Sequence, residues 1–292
     1  MTSPLAAASA PYRALWDRLS YPWQRRLTRT AFALSLLVTL LIILFPLYWM
    51  ASSAVRPLTE IYTRPVSYLP VQLTTIHYEK VLFDTNLPRY YLNSIVVAAG
   101  VVVLTTTAAT LGGYGLTRLD IPFKKTFARS VLFGYMFPPI LLAIPMFIFW
   151  KELGIIDSYL GLMLAETAIA LPFSLWLMWK FFQSVPESLE ESAQMAGASR
   201  FRAFYEIALP QAKPGAIAVA VYAYSASWNA YTFPKIIMIS EGKWPLTVGV
   251  HTFVQQFQVN WGMIMAAGFL MIIPSFIFIY SLQKYLLRGF RI

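Results

Sequence analysis

Six long apolar segments alternate with polar intervals along the chain, and this alternation is the main structural signal in the sequence. The segments lie at about 31–52, 91–116, 128–150, 159–183, 216–238 and 262–284. Each is close to the roughly 20 residues that an α-helix needs to cross the hydrocarbon core of a bilayer. The pattern therefore predicts an all-α membrane protein with six transmembrane helices. Prolines inside several segments predict bends, because proline removes a backbone donor and crowds the preceding turn.

The composition supports a membrane-embedded chain. Of the 292 residues, 58% are hydrophobic and 12% are charged, whereas about 25% of residues are charged in soluble domains. The chain has no cysteine, which excludes a disulfide framework and thiolate metal sites. We therefore expect membrane lipid to be one of its partners.

The formal net charge of +10 is distributed unevenly. Most lysines and arginines lie in the N-terminal tail, in the intervals after the second and fourth segments, and near the C-terminus. The positive-inside rule then predicts that the N- and C-termini are both cytoplasmic. Because the positive charge is explained as a topology signal, we expect no nucleic-acid partner.

This orientation divides the chain into a short tail and one membrane domain. Residues 1–30 form a cytoplasmic N-terminal tail, and residues 31–292 form the transmembrane domain. Residues 53–90 become an external loop with four prolines and little periodicity, and we expect it to pack over the outer mouth. Residues 186–215 become a cytoplasmic loop between the fourth and fifth segments.

The 186–215 loop has the pattern of two short helices joined by a turn. Pro186 stands at a first-turn position, and the three glutamates that follow favour a helix N-terminus. Gly197 can supply the positive φ of a turn. A second short helix follows, and we expect it to end at Leu209-Pro210, because the residue before proline disfavours the helical region. Such a protrusion, tethered to a membrane helix on each side, is suited to being held by a partner.

This loop resembles the EAA loop of binding-protein-dependent ABC importer permeases. The matching residues are Glu191-Ser192-Ala193, Gly197 and Ile207-Ala208-Leu209-Pro210, and the departures are Ser192 and Ala196. The resemblance covers roughly residues 30–290. Further matches to permeases of the maltose type are Asn93-Ser94, Tyr114–Arg118, Met136–Pro139, Ile144-Pro145, Leu153–Tyr159, Trp228-Asn229 and Gln283–Gly289.

The resemblance implies a type I ABC importer permease fold and an ATP-driven importer of sugars or sugar derivatives in a bacterial or archaeal cytoplasmic membrane. The implied partners are a second permease subunit in a heterodimer, two ATPase subunits and an extracytoplasmic solute-binding protein. The sequence lacks a phosphate-binding loop, and Ile237 stands where such a loop before Gly242-Lys243 would need glycine. We therefore expect no cofactor in this chain and no enzymatic activity, with ATP and Mg²⁺ bound by the ATPase subunits.

The resemblance also implies roles for residues of the loop. Glu191 is expected to make the principal polar contact with the ATPase, and Gly197 sets the angle between the two short helices. The residues expected to fill the ATPase cleft are Glu190, Ala193, Ala198 and Phe204. On composition alone, a solvated helix N-terminus is the favoured interpretation of the acidic run at 187–191. Coupling is favoured once Gly197 and Leu209-Pro210 are found in register with the family pattern.

Candidates for the solute path lie in the fourth and fifth segments. Glu166 is the only acidic residue inside a segment, and an intramembrane carboxylate is a functional-site hypothesis. It can accept hydrogen bonds from sugar hydroxyls, or bond to a neighbouring helix or water. In the fifth segment, aromatic and polar side chains at helical spacing suit a sugar, although packing is the common alternative. These residues are Tyr224, Ser225, Trp228 and Asn229.

Other functions explain the sequence less well. Polyols, glycerol-phosphate or other small organic solutes are the alternative substrates of an ABC importer. A secondary transporter would also show six segments, but it would need no EAA loop. A membrane enzyme needs convergent nucleophiles or metal ligands, and the segments contain neither histidine nor cysteine. His77 and His251 lie in external loops without ligand partners at metal spacing, so we expect no metal site.

Overall fold

The computed structural model describes residues 20–254 and 259–289, and these ranges are mainly helical and contain no β-strand. In chain order the helices are α1 (Tyr21–Ala54), α2 (Leu58–Ile61), α3 (Ile76–Phe83), α4 (Leu87–Arg118), α5 (Lys124–Gly134), α6 (Pro139–Glu152), α7 (Tyr159–Gln183), α8 (Glu187–Met195), α9 (Arg200–Ala203), α10 (Leu209–Trp228), α11 (Thr232–Ile237), α12 (Leu246–His251) and α13 (Trp261–Gly289). A π-turn occupies Phe204–Ala208, and a 3₁₀ turn occupies Glu241–Lys243.

Four described helices are long and apolar enough to cross a membrane. They are Tyr21–Ala54, Leu87–Arg118, Tyr159–Gln183 and Trp261–Lys284 within α13. These correspond to the first, second, fourth and sixth predicted segments, so the prediction of an all-α membrane protein is confirmed. The number rises to five if α5 and α6 are counted as one broken span.

The third predicted segment is two helices rather than one. The ranges Thr126–Gly134 and Pro139–Glu152 are bent by 93° relative to each other. The break falls at Pro138-Pro139, because neither proline donates a backbone hydrogen bond and the residue before a proline avoids the helical region. The predicted bend at these prolines is therefore confirmed, and it is a full break between two helices rather than a kink within one.

The fifth predicted segment ends earlier than expected. We predicted a helix over 216–238, but α10 begins at Leu209 and ends at Trp228. The Asn229 side chain donates to the Ser225 carbonyl at 2.8 Å, a local bond of the kind that competes with helix continuation. After a short break, α11 continues the chain in a separate helix.

The long helices α4, α7 and α10 pack together over most of their lengths. Val101, Leu162 and Ala223 are fully buried in one shared core. The small residues allow close approach: a Cβ added to Gly113 on α4 would lie 2.8 Å from the Trp179 backbone nitrogen on α7. Gly113 thus marks close packing of α4 against α7.

The chain divides into two units at Ser53, and α1 belongs almost entirely to the first. This helix starts at Tyr21, ten residues before the predicted segment. Residues 1–19 of the predicted tail lie outside the described residues, as do residues 290–292. The site described below lies wholly in the second unit.

The predicted external loop 53–90 is more regular than its sequence indicated, since it contains α2 and α3. The Arg56 guanidinium donates to the carbonyls of Ser67 and Tyr68 at 2.6 and 2.8 Å. The Glu60 carboxylate accepts from the amide of Val71 at 2.9 Å. These side-chain bonds replace regular backbone pairing, and periodicity does not reveal them.

Candidate functional site

The 186–215 segment joins the end of α7 to the start of α10 through two short helices. The first, α8, follows Pro186. Gly197 then has φ +93°, with no atom within 4 Å of where a Cβ would stand. Ser199 caps the next helix by accepting a hydrogen bond from the Arg202 amide at 3.2 Å. The predicted helix start and the predicted positive φ are both confirmed.

The second short helix does not end at Leu209-Pro210, so that prediction is wrong. A π-turn over Phe204–Ala208 precedes this dipeptide, and the Leu209 amide donates to the Phe204 carbonyl five residues earlier. The wider backbone of a π-turn leaves room for the proline ring, which would collide with a carbonyl in a regular α-helix. The second half of the segment is therefore continuous with α10.

Glu190 lies inside the protein rather than on the surface of the segment. Its side chain is 3% exposed, and its Oε1 accepts from Arg118 Nε at 2.7 Å. Its Oε2 accepts from the Tyr114 hydroxyl at 2.9 Å. Arg118 and Tyr114 belong to the end of α4, so Glu190 joins the segment to a third long helix. We expected Glu190 to enter the ATPase cleft, but its side chain is buried inside the protein instead.

The other predicted residues of the segment divide between the interior and the surface. Phe204 is also buried, with its ring centroid 4.5 Å from that of Tyr114. Glu191 and Gly197 are exposed, and Ala193 and Ala198 are half-buried.

Sequence reasoning missed exposed apolar residues on the same segment. Met195 is 90% exposed and Phe201 is 74% exposed. Large apolar side chains inside a polar interval were the available signal, because exposed apolar patches mark interaction surfaces.

Glu166 is buried between α7 and α10. The Ser227 hydroxyl donates to its Oε2, and its Oε1 has no hydrogen-bond partner among the described residues. The bond to a neighbouring helix, one of the alternatives that the sequence left open, is therefore present.

The aromatic residues predicted for the solute path pack against α13. The Tyr224 ring stacks on Phe278 at 4.2 Å between centroids. The Trp228 indole donates to the Met271 carbonyl at 3.2 Å. Both rings line an apolar cavity of about 590 Å³. Ser225 and Asn229 do not line it, so the structure does not bring the predicted set into one site.

A second cavity, of about 360 Å³, lies at the break between α5 and α6. Its lining includes Tyr135, Pro138, Pro172 and Tyr222. The Tyr222 hydroxyl donates to the Tyr135 hydroxyl at 3.2 Å. Non-helical backbone at membrane depth is tolerated where it is covered by protein or lines a cavity. Sequence reasoning missed both tyrosines, although Pro138-Pro139 signalled the break beside them.

A separate polar cluster is centred on Asp157, which lies just before α7, at the end of that helix away from the 186–215 segment. Its carboxylate accepts from the amides of Ile239 and Ser240, each at 3.0 Å, and from Lys243 Nζ at 2.9 Å. Burial by itself raises the pKa of Asp157, but bonds from Ser240, Lys243 and Ile239 outweigh it and lower the pKa to about 2. This cluster fixes the connection before α7 against the connection after α11.

No group of three or more potential metal ligands occurs among residues 20–254 and 259–289. His77 is buried in α3, and its Nε2 lies 2.8 Å from the Arg56 carbonyl oxygen. The ring is thus held by the backbone of its own loop.

Apolar helices of membrane-spanning length, a broken helix beside a cavity and a protruding polar segment together define a multi-pass helical membrane protein. The chain belongs to the family of binding-protein-dependent transport system inner membrane components, whose model matches residues 106–292. The matched range contains the 186–215 segment and the second cavity. The chain is therefore a permease component of an ABC importer in the inner membrane.

Characterised proteins of similar sequence support this membership. The chain is 30% identical to the diacetylchitobiose uptake system permease protein NgcG of Streptomyces coelicolor, over 86% of this chain and 83% of that protein. It is 31% identical to the trehalose/maltose transport system permease protein MalG of Thermococcus litoralis, over 90% and 95% of the two chains. A bacterial ABC transporter involved in import of the acidic polysaccharide alginate has a similar structure, with a TM-score of 0.78, 25% identity and coverage of 89% and 96%.

Proposed function

We propose that this chain is one permease subunit of an ATP-driven importer that moves a sugar, either a mono- or oligosaccharide or a sugar derivative, into the cell. The relatives named for diacetylchitobiose and for trehalose/maltose support a sugar as the solute. The observation that carries the proposal is the exposed segment at 186–215, turned at Gly197 and continuous with α10. A polyol, glycerol-phosphate or another small organic solute is the second candidate.

In this proposal the 186–215 segment is the contact with the ATPase subunits. We place the contact surface on six of its exposed or half-buried residues, namely Glu191, Ala193, Met195, Gly197, Ala198 and Phe201. Glu190 and Phe204 hold the segment in shape from inside. The proposed complex contains a second permease in a heterodimer, two ATPase subunits that bind ATP and Mg²⁺, and an extracytoplasmic solute-binding protein.

Transport then follows from motion of the segment. The chain crosses the membrane six times with both termini in the cytoplasm, so the segment faces the ATPase subunits. When these subunits close on ATP, they displace the segment, and α7 and α10 are displaced with it because they are covalently continuous with it. An outward-facing state then replaces an inward-facing one as a shift in population.

We place the solute path of this subunit at the break between α5 and α6. Tyrosine hydroxyls can hydrogen-bond the rim of a sugar, while aromatic rings stack on its apolar face. Tyr135 and Tyr222 offer both at the same cavity. Tyr224 and Trp228 are instead occupied in packing against α13, and Glu166 is bonded to Ser227.

Affinity purification of the chain from its native membrane, followed by reconstituted uptake, tests the proposal. We expect an ATPase, a sister permease and a binding protein to co-purify, and uptake to require ATP. Ligand screening of the binding protein then distinguishes a sugar from a polyol or a glycerol-phosphate. A chain that purifies alone and transports solute on an ion gradient without ATP would contradict the proposal.

A further inference from the structure

Arg118, at the end of α4, is the centre of a cluster that holds the 186–215 segment. Its Nε donates to Glu190 Oε1 at 2.7 Å, and its Nη2 donates to the Val185 carbonyl at 2.8 Å. Glu187 lies 3.8 Å from its Nη1. The contact is reciprocal, because Arg200 of α9 donates to the Arg118 carbonyl at 2.8 Å. Both short helices of the segment are thus tied to one residue of α4.

This ion pair is buried, unlike a comparable pair in the same segment. The side chains of Arg118 and Glu190 are 7% and 3% exposed. Those of Arg202 and Glu206, which also pair at 3.0 Å, are 66% and 55% exposed. An exposed pair contributes little, whereas loss of one partner from a buried pair leaves an uncompensated charge in the interior. The first pair is therefore a fixed connection.

Tyr114 extends the same connection by one turn of α4. Its hydroxyl donates to the second oxygen of Glu190 at 2.9 Å. Its ring packs against Phe182 and Phe204, with centroids 5.5 and 4.5 Å away. Phe182 lies in the last turn of α7, and Phe204 begins the π-turn that leads into α10. Tyr114 therefore contacts the chain on both sides of the two short helices.

The position of α4 in the chain gives this cluster its significance. Helices α7 and α10 are covalently continuous with the segment, but Glu190 and Arg118 are separated by 72 residues. Displacement of the segment therefore reaches α4 through non-covalent contacts, namely this cluster at the end of α4 and the packing of α4 against α7 and α10. A charge-assisted bond with two buried partners is the strongest polar contact available for this.

We propose that Arg118 and Tyr114 are positioning residues that latch the end of α4 to the 186–215 segment through Glu190, so that α4 moves with the segment during transport. This inference rests on the proposed coupling of that segment to ATPase subunits. It assigns a mechanical role to residues that contact neither the ATPase nor the solute.

The first test measures ATP hydrolysed and solute transported in the same proteoliposomes. Arg118→Gln or Glu190→Gln should lower the ratio of transport to hydrolysis about tenfold, within the usual range for coupling between sites. Arg202→Gln removes the same group from the exposed pair and should leave the ratio unchanged. Tyr114→Phe removes one hydroxyl and should lower the ratio about twofold, because the ring packing remains. A ratio unchanged in Arg118→Gln and Glu190→Gln would overturn the latch.

Rescue separates a latch from general support of the fold. The double variant Arg118→Glu with Glu190→Arg restores opposite charges and should recover part of the lost ratio. Insertion and ATPase co-purification of each variant are measured alongside. Failure of the unaltered chain to bind any ATPase would contradict the proposed function itself. Normal assembly with an unaltered ratio of transport to hydrolysis in every variant would contradict only the proposed latch.

A second test does not depend on a disruptive variant. The chain has no cysteine, so spin labels can be attached at Asp120→Cys after α4 and Ser188→Cys on α8, both exposed positions. In the transport-active complex, the label-to-label distance should be the same without nucleotide and with ATP bound. A distance that changes between these two states would show that α4 does not follow the segment.

Discussion

Two polar clusters stand at opposite ends of the same long helices, and they differ in the connections that their bonds make. At one end, Asp157 accepts bonds from two backbone amides and a lysine, so the connecting loops satisfy one another. At the other end, Arg118 and Glu190 satisfy each other. There, however, the outer side of the segment remains uncovered, with Met195 90% exposed and Phe201 74% exposed.

We call the Asp157 end closed because its two connections bond to each other, and the 186–215 end open because its segment protrudes; exposed apolar side chains occur at both ends, since Ile239 is 64% exposed. The Asp157 end fixes its connections with bonds inside the chain. At the 186–215 end, the buried Arg118–Glu190 pair holds the segment in place. The outer surface of the segment remains exposed and can contact a partner. Apolar side chains exposed together beside polar ones are typical of an interaction surface. Changes at the two ends should therefore have different consequences, on coupling at one and on stability at the other.

Gly197→Val should have the largest effect. Gly197 has φ +93°. A β-branched residue held at this φ costs about 1–3 kcal/mol, so the backbone should relax to another φ and change the angle between α8 and α9. Uptake should fall more than tenfold while membrane insertion persists. Gly154→Val is the matched control, because Gly154 has φ +70° and an open surrounding at the other end. It should lower stability and leave the ratio of transport to hydrolysis intact; equal uncoupling by both variants would remove the distinction between the ends.

Glu191→Lys should have the next largest effect. Glu191 is exposed on the open end, so reversing its charge should weaken ATPase attachment about tenfold, which corresponds to about 1.4 kcal/mol. Quantitative co-purification at increasing salt is the measurement. Glu152→Lys makes the same reversal at an exposed position of α6 and should leave attachment unchanged. Full ATPase recovery with Glu191→Lys would remove Glu191 as the main polar contact.

Asp157→Asn should lower stability by about 1–3 kcal/mol through loss of charge-assisted bonds at the closed end. Asparagine tolerates the positive φ of 54° at this position, so the backbone is preserved. The variant should unfold at lower temperature in detergent, with an unchanged transport-to-hydrolysis ratio. A changed ratio at normal stability would show that this end takes part in coupling.

The same carboxylate predicts a pH dependence. Folding lowers the pKa of Asp157 from an ordinary 3.8 to about 2, so the unfolded chain binds more protons between these values. The stabilisation is therefore complete above about pH 4 and is lost as the pH falls through 2. The stability difference between the unaltered chain and Asp157→Asn, measured from pH 6 down to pH 2, should shrink over this window. A difference that stays constant would argue against the lowered pKa.

Tyr222→Phe should have the smallest effect. Tyr222 lies within α10, between the two ends. The substitution removes the hydroxyl that donates to Tyr135, and we expect the KM for solute to rise about threefold, since one neutral hydrogen bond is lost. Tyr224→Phe is the matched control on the same helix, where the ring stacks on Phe278, and its KM should not change. The reverse result would return the solute path to the residues first predicted from the sequence.

The helices and the turn could be predicted because their causes are local. An apolar run of sufficient length becomes a helix wherever it lies, since every backbone group must be satisfied inside it. Gly197 could be assigned a positive φ because the reason resides in its missing side chain.

The effect of proline on helix continuation was harder to predict. Leu209-Pro210 and Pro138-Pro139 carry the same chemical signal, yet a π-turn carries the helix through the first and a 93° break occurs at the second. A local propensity does not distinguish these two outcomes.

The sequence by itself determined the class of protein, the long helices and the turn at Gly197, because length, apolarity and the absence of a Cβ act locally. Only the tertiary structure decided that Glu190 is buried while Glu191 is exposed, and that Tyr222 meets Tyr135 while Tyr224 packs on α13. Neighbouring residues of a helix point about 100° apart. Which of them meets a partner is set by groups far away in the chain, such as Arg118.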